Sequence, residues 1–307
     1  MLRFLPSTLR GIIVSILMLF NLLMWVALLV PFMIIKISIP FRTVRKPVDF
    51  ILNLLCTQWA SCNRMYLQLV NNIKWDIQGD RTLKKNDWYL VLSNHQSWAD
   101  IIILQFVLNN RIPYFRFFLK KELVWIPLFN LVWYALDYPY MKRYSKAFLK
   151  KHPHLKGKDI ETTKKSCERF RDTPVSIMNF VEGTRFTKKK HKKQHSPYQY
   201  LLNPKAGGVA FVLSAMGEQL SSILDATIYY DPKIAGFWDF LCGRINEVKV
   251  RIEHLPITQD LKGDYFEDEE FKKRFQQRIN ELWAKKDQTL KLLHESKSNG
   301  AATQNLN

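Results

Sequence analysis

Residues 88–108 read Trp-Tyr-Leu-Val-Leu-Ser-Asn-His-Gln-Ser-Trp-Ala-Asp-Ile-Ile-Ile-Leu-Gln-Phe-Val-Leu. The apolar run at 88–92 predicts a buried strand, the polar residues after it a turn, and 100–108 an apolar helix. Outward from this unit the pattern repeats. Short apolar runs at 114–119, 175–181, 223–230 and 248–252 predict further strands, and 159–171, 205–216 and 266–293 predict helices. Strands alternating with helices at this spacing imply an α/β fold, a mixed sheet with flanking helices. A helix over 48–73, with Leu, Trp and Met along one stripe, precedes the first strand.

The turn carries the first candidate chemistry. Of seven histidines, His95 is the one that directly follows a predicted strand and has a carboxylate, Asp100, five residues on. Imidazole is the usual general base near neutral pH, and a carboxylate partner fixes its tautomer and stabilises the imidazolium. Five residues do not share a helix face, so the chain must turn for Asp100 to reach the ring. The same letters fit another role. Ser97 and Asp100 match a capping box, which would make Asp100 a helix-start residue and His95 an ordinary loop residue. Spacing alone does not separate these readings.

A second candidate, Glu182-Gly183-Thr184-Arg185, follows the strand at 175–181. Gly183 permits a sharp turn, Thr184 offers a hydroxyl, and Arg185 offers a fork for a phosphate. Taken alone it also fits a plain turn with a surface Glu182–Arg185 pair, worth about 0–1 kcal/mol.

The N-terminus points to a membrane. Residues 12–35 are apolar except for Ser15, Asn21 and Pro31. As a helix they reach roughly 36 Å, against a bilayer core of about 30 Å. Arg3 and Arg10 precede the segment, and Lys36, Arg42, Arg45 and Lys46 follow it, which places the following domain on the cytoplasmic side. A hairpin embedded in one leaflet fits the same residues. A second apolar stretch, 123–136, is short for a span and fits either core and acyl-pocket wall or an interface. The mean hydropathy of −0.17 excludes a polytopic transporter.

The net charge of +19 calls for an anionic partner. No helix-turn-helix, RNA-binding or zinc-finger signature accompanies it, so nucleic acid is not expected. The run Lys188–Lys193, five lysines around His191, suits a solvated loop or anionic lipid headgroups. Four scattered cysteines form no metal-ligand spacing. From about residue 296 the chain is rich in Asn, Ala and Gln and is expected to be disordered.

Asn94-His95-x4-Asp100 followed by Glu182-Gly183-Thr184-Arg185 resembles the glycerolipid acyltransferases, the family that includes lysophosphatidate acyltransferase. The resemblance covers roughly residues 50–255; together with the apolar N-terminus and the polar C-terminal composition it gives an expected anchor at 1–46, an acyltransferase domain at 47–295 and a disordered tail at 296–307. It implies His95 and Asp100 as the catalytic pair, and Glu182, Gly183, Thr184 and Arg185 as the block holding the acceptor's glycerol phosphate. Arg143 stands where the family's intermediate block ends in an arginine. The fourth block departs from the family, reading Leu224-Asp225-Ala226-Thr227-Ile228-Tyr229 without its usual proline.

The implied reaction moves an acyl group from acyl-CoA or acyl carrier protein to the sn-2 hydroxyl of lysophosphatidic acid, with no metal or organic cofactor. The segment from Leu201 to Gly208 also resembles a branch acting on other lysophospholipids, such as lysophosphatidylglycerol or lysocardiolipin. The anchor and basic domain resemble a bacterial inner-membrane branch.

Overall fold

The computed structural model of the 307-residue chain describes residues 4–39, 41–79, 82–120, 125–126, 129–141, 158–171, 173–231 and 236–304. Two long helices open it, α1 (Ser7–Ser38) and α2 (Arg42–Val70). Arg10 reaches the carbonyl of Val70, Asn21 reaches Asn63, and Lys36 reaches Asp49, so the two helices run antiparallel. The boundary expected between residues 46 and 47 falls inside α2. The first turns of that helix are tied in by Lys36 to Asp49 and by Arg45 to Asp137.

The strands are β1 (Lys74–Gly79), β2 (Tyr89–Ser93), β3 (Phe115–Arg116), β4 (Leu119–Lys120), β5 (Tyr140–Met141), β6 (Ser176–Phe180), β7 (Ser222–Tyr229) and β8 (Glu247–Pro256). Six form the main sheet, in the order β1-β8-β7-β2-β6-β3. Only the β7–β8 pair in it is antiparallel, so the sheet is mixed as expected. The remaining helices are α3 (Ala99–Leu108), α4 (Phe129–Ala135), α5 (Lys158–Cys167), α6 (Lys188–Gln194), α7 (Ala206–Met216), α8 (Phe237–Leu241) and α9 (Glu269–Gln304).

Central strand β2 is buried on both faces, which is why it reads as a continuous apolar run. Tyr89 and Val91 join Val14, Leu67, Ile103, Val107 and Phe240 on one side. Leu90 and Leu92 join Val209, Val212, Phe275, Ile279 and Trp283 on the other. The period-2 alternation of the strand thus feeds two separate cores.

Several expectations are corrected. The strand expected at 114–119 divides, with Phe115–Arg116 joining the main sheet and Leu119–Lys120 pairing with Tyr140–Met141. Strand β1 has no apolar run to announce it, because it is a largely exposed edge strand. The helix expected at 159–171 ends at Cys167 and tightens into a 3-10 turn over Glu168–Phe170. Helix α9 extends from Glu269 to Gln304. In the stretch 123–136, Ala135 and Leu136 pack with Leu29, Met33 and Leu52 while Trp125 and Tyr134 stay exposed.

Candidate active site

Strands β2 and β6 are parallel neighbours whose register pairs Ser93 with Phe180. His95 and Glu182, each two residues further on, therefore emerge side by side at the carboxyl end of the sheet. That edge is where parallel sheets present ligands.

Asp100 is fully buried at the start of α3. Its Oδ2 lies 2.8 Å from His95 Nδ1 and accepts the N–H groups of Gln96 at 2.6 Å and Ser97 at 3.0 Å. Its Oδ1 accepts the hydroxyl of Tyr230 at 2.7 Å. The bond from Ser97 N–H is the reciprocal half of the capping box, and Ser97 Oγ in turn accepts from Ala99 N–H. One carboxylate thus makes both the helix-start contact with Ser97 and the contact with the His95 ring. The cap holds the carboxylate still, and the held carboxylate orients the imidazole. Four donors satisfy a carboxylate that would otherwise be costly to bury.

The His95 ring stacks on Phe180, with centroids 3.9 Å apart. Its side chain is 12% exposed, and with Nδ1 on Asp100, Nε2 is the ring nitrogen without a partner among the described residues. Its backbone is gripped at both ends. The N–H donates to Glu182 Oε1 at 3.0 Å, and the carbonyl accepts from Phe186 N–H at 2.7 Å. Asn94 bridges β2 to β7, its side-chain amide donating to the Ile228 carbonyl and accepting from the Ile228 N–H, both at 2.9 Å.

Glu182 is buried and forms no surface pair with Arg185. Its second oxygen accepts from Leu202 N–H at 3.0 Å. Burial pushes its carboxyl up to about 7, against the lowering effect of those two backbone bonds. Gly183 has φ +67 and a Cβ there would come within 3.1 Å of the Lys205 side chain, so the turn calls for glycine. Thr184 Oγ1 accepts from Lys190 Nζ at 2.6 Å, and the same ammonium reaches the Arg185 carbonyl at 3.0 Å. Arg185 is exposed, its guanidinium 5.5 Å from the Trp98 ring centroid. Arg143 lies outside the described residues.

Sequence reasoning missed Tyr230. A tyrosine ending a buried strand signals that its hydroxyl needs a partner, but nothing local names Asp100, 130 positions away. Burial first, and the charge of Asp100 second, keep this phenol well above its usual pKa and therefore a donor. In the fourth block, buried Asp225 meets Lys286 of α9 at 2.8 Å. The thiols of Cys56 and Cys167 are pushed up to about 12 by burial. Among the described residues no three His, Cys, Asp or Glu side chains converge as a metal site would need.

A sequence model of the family described as Acyltransferase matches residues 74–231, half of the chain, and the matched span holds both motifs. The chain belongs to this acyltransferase family. The mouse 1-acyl-sn-glycerol-3-phosphate acyltransferase gamma is 25% identical over 159 residues, which cover 47% of this acyltransferase and 38% of that protein. The mouse epsilon form is 21% identical over 235 residues, covering 69% and 60%. The chain thus spans less than two thirds of the length of these curated relatives. The crystal structure of the 1-acyl-sn-glycerophosphate (LPA) acyltransferase PlsC from Thermotoga maritima shares the fold, with a TM-score of 0.52 at 18% identity over 93% of this acyltransferase and 98% of that chain. The matched segment ends before α8, β8 and α9, so these acyltransferase elements lie outside it.

Proposed function

We propose that this acyltransferase transfers a fatty acyl group from acyl-CoA or acyl carrier protein to the sn-2 hydroxyl of lysophosphatidic acid, forming phosphatidic acid. The observation that carries the reading is His95 Nδ1 at 2.8 Å from a buried Asp100, with Nε2 left for a substrate. The relatives' activity on 1-acylglycerol-3-phosphate supports the acceptor.

In this mechanism Nε2 takes the proton of the acceptor hydroxyl as its oxygen attacks the thioester carbonyl. The C–O bond forms, the C–S bond breaks, and the imidazolium returns the proton to the leaving thiolate. Asp100 stabilises the imidazolium between the two transfers. Arg185 and Thr184 face outward and hold the acceptor phosphate, with Arg143 assigned there by the family pattern. Glu182 is turned inward and serves the site by fixing the His95 backbone. Neither a metal nor an organic cofactor enters this scheme.

The chain works on a membrane. Ile12, Ile16, Leu19 and Leu23 lie exposed on one face of α1. The opposite face is tied down by Asn21 on Asn63 and by Lys36 on Asp49 and Asp137. A helix bound along its length to its own domain suits burial in one leaflet better than a crossing. We place the domain on the cytoplasmic side of a bacterial inner membrane, with the exposed lysines of α6 toward anionic headgroups.

The test is His95→Ala in membranes given labelled acyl-CoA and lysophosphatidate. Transfer is expected to fall by about 10²–10⁴-fold. Undiminished transfer by the variant would sink the assignment. Acylation of lysophosphatidylglycerol or lysocardiolipin in place of lysophosphatidate would move the acceptor to that class.

A further inference from the structure

Helix α9 lies outside the matched family segment, yet one of its faces is bonded to a loop that completes the site. Gln276 Nε2 donates to the Pro204 carbonyl at 3.4 Å, and the Asn280 carbonyl accepts from the Tyr198 hydroxyl at 3.2 Å. Trp283 Nε1 donates to the Leu202 carbonyl at 3.1 Å. The Asp287 carboxylate accepts the N–H groups of Gln199 at 2.8 Å and Tyr200 at 2.7 Å. Positions 276, 280, 283 and 287 recur at the helical period, so they form a single stripe.

Leu202 sits within that clamped loop. Its carbonyl is held by Trp283, its N–H is held by Glu182 Oε2, and Glu182 Oε1 holds the His95 N–H. Trp283 and Leu202 are fully buried, so their bond is made away from bulk water. The helix is also pinned to β7. Buried Lys286 donates to the Ala226 carbonyl at 2.8 Å and to Thr227 Oγ1 at 3.1 Å, a few residues before Tyr230.

We propose that α9 is a positioning element of the catalytic site, with Trp283 acting through Leu202 and Glu182 to hold the His95 backbone where the ring meets Asp100. Trp283 touches no reacting atom, and its effect is geometric. Without the indole N–H the Leu202 carbonyl is unpaired, Leu202 shifts on Glu182, and the grip on His95 loosens. The proposal rests on the reading of His95 as the base.

Two substitutions separate positioning from packing. Trp283→Phe keeps most of the ring volume and removes the donor. Trp283→His places an imidazole Nε2 where the indole Nε1 lies and gives up the six-membered ring. The purified full-length chain in detergent is assayed with oleoyl-CoA and lysophosphatidate, well below each variant's Tm. We expect Trp283→Phe to be the more stable variant yet to lose roughly tenfold in kcat, since small misplacements near the chemistry cost up to about 10²-fold. Its acceptor KM stays within about twofold of wild type, the pattern of an effect felt at the reacting centre. Trp283→His is expected to be less stable and to retain kcat.

Hydrogen exchange of the peptide spanning residues 94–98 should show the same inversion, faster in the Phe variant than in the His variant. If the wild type transfers acyl groups while kcat and exchange simply follow Tm, the positioning role is overturned. If the wild type transfers nothing, the functional reading fails, and the exchange order alone decides the role of α9.

Discussion

The hydroxyl of Tyr230 stands 2.7 Å from Oδ1 of Asp100, the carboxylate oxygen that His95 does not use. It joins the end of β7 to the first turn of α3 and fixes the rotation of the carboxylate plane. Asp100 therefore offers Oδ2 to the imidazole in one orientation.

Tyr230→Phe tests that role. It removes one hydrogen bond to a buried carboxylate, of a class worth about 1.5–3 kcal/mol. We expect part of that as lost stability and about tenfold lower kcat, a barrier rise of roughly 1.4 kcal/mol. Unchanged kcat in a folded variant would reduce Tyr230 to a packing residue.

Asp100→Asn retains the shape of the side chain while removing its charge. The amide has one accepting oxygen where the carboxylate has two, so with that oxygen on Gln96, Ser97 and His95 the Tyr230 hydroxyl meets an NH2 donor and loses its acceptor. We expect kcat to fall by about 10²–10⁴-fold, the range for disabling a general base. The check is single-turnover transfer alongside far-UV circular dichroism.

The raised carboxyl of Glu182 predicts a pH dependence of stability. Its folded value of about 7 lies above the ordinary 4.5. Below pH 4.5 both states hold the proton. Between 4.5 and 7 the folded state binds more protons than the unfolded state, so this residue's contribution is lost as pH rises and levels off above about 7. The full span is on the order of 3 kcal/mol. Chemical denaturation of wild type and Glu182→Gln across pH 4.5–8 should show the falling limb only in the wild type.

Lys190 is the one lysine of α6 seen bonding back to the Glu-Gly-Thr-Arg turn. We expect Lys190→Met to raise the acceptor KM about five- to tenfold with a smaller change in kcat, as expected when a binding contact is loosened. Lys192→Ala, on the same helix, should alter the salt dependence of vesicle binding and leave KM in detergent unchanged.

The exposed face of α1 gives a localisation test. Ile16→Glu combined with Leu23→Glu places two charges where we read lipid contact. Membrane flotation should be lost while detergent-solubilised activity is kept, because neither side chain packs into the domain. Flotation equal to wild type would remove α1 as the membrane contact.

Much of the architecture was legible along the chain because it is written in local periodicity. The apolar run at 88–92 became β2, the runs around 175–181 and 223–230 became β6 and β7, and 205–216 became α7 almost to the residue. Strand β1 was not legible, since an exposed edge strand needs no apolar run. The division of 114–119 was not legible either, because its two halves pair with strands far apart in sequence.

In the site the same line divides what was readable from what was not. His95, Asp100 and the Glu182–Arg185 turn are motifs of a few residues each, so their presence and order were determined by the sequence alone. So were the apolar N-terminus and the basic charge. Only the tertiary structure decided that Asp100 bonds the helix start and the His95 ring together, that Glu182 points inward to His95 rather than outward to Arg185, and that Tyr230 bonds to Asp100 and Trp283 to Leu202. The last three of these bonds link positions 81 to 130 apart. Such partners meet because sheet register brings β2, β6 and β7 to one edge and α9 closes over their loops. Register and docking are properties of the packed whole, and no window of sequence contains them.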